Sequence, residues 1–254
     1  DLVMLNVAID TNDLSADIAP PAKRDGIVDG QDLELLMQYW LIEIPELGLI
    51  AHWKLDETEG NIAYESIQTK DGSLHGEPLW QPVSGQIDGA LEFDGIDDYV
   101  STNFALNPAN GPFSVFAWIK GGASGQVILS QESGVNWFMA DSVDGALKTD
   151  LKQPGTTGGR NPIPPGPPLI SSTNITDGDW HRIGFVRDGI NRILYVDDVE
   201  VARDTASNLE VSGGGLYIGA GSDLEPGTFW AGLIDDLRIY NKALTAEEIA
   251  ALSK

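Results

Sequence analysis

The chain has 254 residues, enough to bury a sizeable core in one large or two unequal domains. A formal net charge of −24 argues against nucleic acid and anionic membrane surfaces, the partners that recruit lysine and arginine. Without cysteine there is neither a disulfide nor thiolate chemistry, and no apolar run reaches the length of a membrane span.

The chain opens at Asp1 inside a helical pattern, with no signal-peptide texture, and so reads as a processed or excised fragment. Residues 1–46 read as helical pieces and loops. Leu33, Leu36, Met37 and Trp40 fall at i, i+3, i+4 and i+7, one face of a helix. Asp1-Leu2-Val3-Met4-Leu5 aligns with Asp32-Leu33-Glu34-Leu35-Leu36, a short internal repeat. Between them, Asp25, Gly26, Ile27, Asp29 and Asp32 have the spacing of the back half of an EF-hand loop. Gly26 takes the sharp turn, Ile27 offers its carbonyl and Asp32 is the last ligand. Counting back puts Pro21 and Lys23 at ligand positions, where neither side chain can coordinate calcium. Two readings follow: the loop is dead and Asp32 is an acidic N-cap, or the loop is lengthened and Asp17 supplies the first ligand.

Asp-Gly-x-Val-Asp-x-x-Asp-Leu-x-x-Leu, from Asp25 to Leu36, resembles half of a dockerin repeat. The second half-repeat would span about 17–42, preceded by the tail of the first. The resemblance implies calcium binding and docking to a cohesin-like partner.

Beyond Pro45-Glu46-Leu47-Gly48, a plausible hinge, the texture becomes short alternating segments broken by Gly, Asp and Asn, as in an all-β sandwich. Strands are expected at Leu49–Leu55, Ala90–Asp94, Tyr99–Thr102, Phe113–Lys120, Val127–Gln131, Asn136–Ala140, Trp180–Arg187, Arg192–Val196, Glu200–Asp204, Leu216–Gly219 and Leu233–Tyr240. Asp197-Asp198 joins two of them as a hairpin. Asp-Gly suits the tightest turns better, so Asp-Asp predicts a looser or slightly strained turn. Pro154 to Pro168 holds six prolines and four glycines, which predicts a long surface loop. Thr245-Ala246-Glu247-Glu248 has the capping-box spacing and starts a short closing helix.

Residues 47–254 resemble the laminin-G-like jelly roll of the concanavalin A-like lectin and glucanase superfamily. The segments that carry this are Leu49 to Glu57, Gly89 to Val100, Phe113 to Lys120, Asp179 to Val186, Ile193 to Asp198 and Gly232 to Thr245. The fold implied is all-β, a two-sheet antiparallel jelly-roll sandwich, with a small α-helical dockerin-like segment at residues 1–46. The resemblance also implies a structural calcium where the first and last strands meet. Its ligands would be Asp235, Asp56 and a main-chain oxygen near Asp94 and Gly95. On residue chemistry alone, Asp235 and Asp236 can instead alternate faces, one paired with Arg238 or a neighbour and the other solvated.

Catalysis is not expected. The glucanase branch carries alternating acids on one strand, Glu-x-Asp-x-Glu, and no such triplet occurs; there is no Gly-x-Ser-x-Gly, and the three histidines are scattered. His181 reads as a packed residue. Trp80, Trp137 and Trp230 are the tryptophans that could line a sugar-stacking face, and Arg160 could offer a fork to an acidic sugar; for each, packing or plain solvation is the competing reading. The sequence therefore points to a secreted, bacterial, non-catalytic module at an extracellular or cell-surface location, binding a glycan or a cell-surface protein. A structural spacer and a hydrolase are the alternatives.

Overall fold

The computed structural model describes residues 47–156, 161–211 and 213–252. The dockerin-like and EF-hand readings, with Asp17, Asp25, Ile27, Asp29 and Asp32, lie outside those residues, as does Arg160. The compact body begins at Gly48.

In chain order its strands are β1 (Leu49–Trp53), β2 (Ile62–Ala63), β3 (Gly72–His75), β4 (Leu79–Gln81), β5 (Ala90–Asp94) and β6 (Tyr99–Thr102). Then come β7 (Phe113–Gly121), β8 (Val127–Gln131), β9 (Asn136–Ala140), β10 (Ala146–Thr149) and β11 (Leu169–Asn174). The series closes with β12 (Trp180–Arg187), β13 (Asn191–Val196), β14 (Val199–Thr205), β15 (Leu216–Ile218), β16 (Ala231–Tyr240) and one helix, α1 (Ala246–Ala251). One sheet runs β14-β13-β12-β7-β16-β5-β4, with β1 also on β16; the other runs β11-β10-β9-β8-β15-β6-β3-β2. Every strand pairing is antiparallel. This is the two-sheet sandwich that the sequence predicts.

The inner faces meet over Trp53, Phe93, Phe113, Trp137, Phe185 and Ile239, all within one buried cluster. The first sheet is unusual in burying its outer face as well. Phe116, Val186, Ile193, Tyr195 and Tyr240 form a second cluster with Leu244, Ile249 and Leu252 of the chain's end. That is why β7 and β12 read as near-continuous apolar runs rather than strict alternation. The cover depends on α1, whose capping box is complete: the Thr245 hydroxyl accepts from the Glu248 N–H, and the Glu248 carboxylate accepts from the Thr245 N–H. Thr245→Ala is expected to remove about 1 kcal/mol of stability. A melting temperature lower by roughly 2–4 °C would register it.

Asp197 and Asp198 make a tight two-residue turn, with φ of 49° and 68° and Val196 paired to Val199. Of the two expectations, a looser turn or a slightly strained one, it is the strained one that forms. Left-handed conformations at two aspartates are strained, and both carboxylates are used. Asp197 accepts from the Arg182 N–H at 2.9 Å and lies 2.8 Å from His181 Nδ1. Asp198 pairs with the Arg182 guanidinium, which also donates to the Ile249 carbonyl at 2.6 Å. Arg182 thus ties the hairpin to the closing helix.

Candidate cation site

The site is built by a change of partner along β16. Ala231 to Ile234 pair with β5, and Leu237 to Tyr240 pair with β1. Asp235 and Asp236 fall in the gap between; on the other side Asp235 faces Trp118 of β7 across the ladder. A bulge follows, with Asp236 at φ +51°, so the two carboxylates do not simply alternate faces. Loops from two distant parts of the chain enter this gap. The one after β1 turns at Leu55, φ +62°, which ends that strand two residues earlier than alternation suggests; its Lys54 carbonyl accepts from the Asp236 N–H at 3.3 Å. The one before β5 sends the Ile87 N–H to Asp235 Oδ2 and the Gly89 N–H to Asp56 Oδ1, each at 2.8 Å. Two glycines permit the approach. A Cβ on Gly85 would overlap the Gly89 carbonyl and stand 3.0 Å from Asp235 Oδ2, and one on Gly89 would stand 3.0 Å from the Asp56 Cα.

The two neighbouring acids have opposite electrostatics. Burial raises the Asp236 carboxyl, but its bond to His52 Nε2 at 2.7 Å and the charge of Arg238 outweigh that and hold it below the usual range. Asp236 is therefore an ion-paired anion, 7 % exposed, and takes the Arg238 pairing that alternation allows, while the other acid is buried rather than solvated. Asp235 is completely buried and, among the described residues, has no basic partner in an ion pair. Burial pushes it up to about 7, against the Ile87 hydrogen bond, and the charges of Asp236 and Asp56 add to the rise. Its Oδ1 has no hydrogen-bond partner among the described residues. A buried carboxylate in this position needs a proton or a cation, and an oxygen-only donor set with Asp56 beside it suits a hard divalent ion such as calcium.

Asp56 and Asp235 are thus brought to one place, but Gly95 is not. Asp94 pairs with Ala231, four residues from Asp235 along β16, so Gly95 sits about 13 Å from the gap. Its own contacts would be Ala231 and Gln126. The opposite end of β5, Gly85 to Gly89, makes the approach instead. Asp94, Asp97 and Asp98 bring carboxylate oxygens within 4.8 Å of one another. There Asp98 accepts from the Glu77 and Asp94 N–H groups and Asp94 from that of Ile96, which locks the turn.

Two of the proposed sugar-stacking tryptophans are corrected. Trp137 is 1 % exposed and Trp230 is fully buried. Trp137 points inward from β9 against Phe113, and Trp230 lies over Gly122, where any Cβ would strike its ring. Neither offers a face to a ligand. Trp80, on the edge strand β4, stays half-buried and donates its Nε1–H to the Gly60 carbonyl at 2.9 Å. His181 lies between Asp177 and Asp197, which together outweigh its burial and raise its pKa.

Residues 94–250 match the family model described as the concanavalin A-like lectin/glucanases superfamily, well over half of the chain. The chain belongs to that superfamily. No curated protein matches it. Among solved structures it is similar to domain 4 of AbnA, an extracellular arabinanase from Geobacillus stearothermophilus solved with arabinotriose. Identity is 20 %, TM-score 0.54, and the match covers 81 % of this chain and 98 % of that one. The binding domain of Paraclostridial Mosquitocidal Protein 1 matches at 12 % identity and TM-score 0.62, over 83 % of this chain and 52 % of that one. Trypanosoma rangeli sialidase matches at 14 % and 0.52, over 88 % and 39 %. At such identities the likeness is one of fold. This member of the superfamily spans about half of the mosquitocidal chain and two fifths of the sialidase. Among its described residues no helix is long and apolar enough to cross a membrane.

Proposed function

We propose that this domain is a non-catalytic glycan-binding module of an extracellular or cell-surface protein, with a calcium ion at Asp235 clipping its last strand in place. The observation that carries the reading is the enclosure of Asp235. It is the carboxyl with the most perturbed acidity in the region, yet it is 0 % exposed, beneath the loop before β5. A retaining glycosidase needs two carboxylates roughly 5 Å apart and open to substrate. A sealed acid with an orphan oxygen suits a structural cation instead. Asp235 and Asp56 would hold it, and it would supply charge compensation between β16 and the loops flanking β1 and β5.

Glycan binding is supported by the superfamily and by Trp80, the one of the three candidate tryptophans that keeps a solvent-facing part. The test is a glycan array probed with calcium present. Binding to a defined subset, weakened in Trp80→Ala without a change in far-ultraviolet circular dichroism, is the expected outcome. Uniformly blank arrays would move the reading to a spacer or a protein-binding domain.

A further inference from the structure

Arg187 ends β12 at one end of the sandwich and is only 4 % exposed. A guanidinium has five N–H donors. Two are used at long range, Nη1 to the Asn191 carbonyl at 3.4 Å and Nη2 to the Ser207 carbonyl at 3.2 Å. Every other arginine among the described residues meets a carboxylate: Arg182 with Asp198, Arg192 with Asp204, Arg203 with Glu200 and Arg238 with Asp236. Arg187 forms no such pair among the described residues, although the chain carries 39 acids against 15 lysines and arginines. The adjacent Asp188 turns back on its own loop, accepting from the Ile190 and Asn191 N–H groups and the Asn191 amide. Burial pushes the Arg187 guanidinium down, which the charge of Asp188 only partly offsets.

A buried cation that no carboxylate pairs directly is costly unless something compensates it. Beside it lies a cavity of about 180 Å³, lined by Arg187, Asn110, Gly111, Gly189, Ser207 and Asn208. That is about the volume of six liquid waters, room for one small ring and too little for an oligosaccharide. A Cβ added at Gly111 or Gly189 would meet nothing within 4 Å, so these sides are open. Pro108 and Ala109 add an apolar edge, and the other lining side chains are two amides and a hydroxyl, able to donate to an anion; none is acidic.

We propose that this cavity binds a carboxylate, paired in fork geometry with the Arg187 guanidinium and flanked by Asn110, Ser207 and Asn208. The carboxylate would come from an acidic sugar at the end of a glycan, a source that rests on the glycan-binding reading above, or from a small free carboxylate.

Chemical-shift titration of the full chain with glucuronate, glucose and acetate separates these. A saturating response to glucuronate that glucose does not elicit, confined to the 108–111, 187–189 and 207–208 loops, is expected. Arg187→Gln should weaken it at least tenfold, and Asn208→Trp, which fills the mouth from an exposed position, should do the same. Should Arg187→Gln fail to fold, Asn208→Trp decides alone. An equal response to acetate supports the carboxylate site and assigns free carboxylates as its source. No response at tens of millimolar, or one that Asn208→Trp leaves intact, overturns the proposal. Array binding to neutral glycans without any glucuronate response removes this inference and leaves the module. A blank array with a surviving glucuronate or acetate response does the reverse.

Discussion

A chelator should lower the melting temperature of this domain by roughly 5–10 °C at pH 7.5, and added calcium should restore it. The size follows from linkage: an ion at a hundred times its dissociation constant adds about 2.7 kcal/mol. A domain of this length shifts by about 2–4 °C per kcal/mol. Asp235→Asn should abolish the response. Its amide oxygen can still accept the Ile87 N–H, but the charge that draws the ion is gone. The same substitution should leave the chelated protein as stable as chelated wild type or more so, because it removes an uncompensated buried charge.

The pH dependence has a definite sign. In chelator, the folded carboxyl of Asp235 titrates near 7 and the unfolded one near its ordinary value, so the folded state binds the extra proton. Its contribution is fully present below about pH 4, is lost as pH rises through 7, and amounts to a few kcal/mol on the order of three pKa units. Calcium should reverse the trend, since protons then compete with the ion. Chemical denaturation across pH 4–8, with and without chelator, reads both slopes. Curves that superimpose would falsify the assignment of a cation to Asp235.

Trp137→Ala should lower stability by about 3–5 kcal/mol, the range for removing a large aromatic from a packed core. Phe113, 5.6 Å away between ring centroids, would lose its packing partner, and Phe113 in turn packs on Phe185. The expected fall in melting temperature is on the order of 10 °C or more. Any loss of ligand binding in this variant should therefore track unfolding, seen as equal denaturation midpoints in binding and in circular dichroism. Binding lost at full stability would instead restore Trp137 as a contact residue.

Much of the sandwich is legible because its longer strands are locally distinctive. β5, β6, β8, β9 and β12 fall on their expected bounds, where apolar and β-branched residues cluster between turn signals. β2, β3, β4, β10 and β11 escape such reading. Gly72–His75 and Leu169–Asn174 are short and largely polar, and they become strands only because a neighbour offers a ladder. The closing helix was readable from Thr245 and Glu248, since a cap is a local bond between residues three apart.

The site divides the same way. An acid inside an apolar strand marks Asp235 as costly wherever it folds, and that much is local chemistry. Its counterpart is the main-chain N–H of Ile87, as that of Gly89 is for Asp56; neither has a side-chain signature, so the approach of Gly85 to Gly89 rather than Gly95 had to come from the pairing of β5. Asp236 looks no different from Asp235 in the chain; a bulge and the neighbours His52 and Arg238 make it the paired one. Likewise Trp137 and Arg187 carry no mark of burial in their local sequence.

The sequence alone determined the sandwich class, the all-antiparallel strands of its centre, the closing cap and the presence of a costly acid on the last strand. These depend on contacts a few residues apart or on patterns along one strand. Only the tertiary structure decided which loop meets Asp235, which tryptophans are sealed and which of the described arginines forms no ion pair. Those outcomes depend on residues up to 148 positions apart meeting in space, and exposure and charge compensation are properties of the neighbours so assembled.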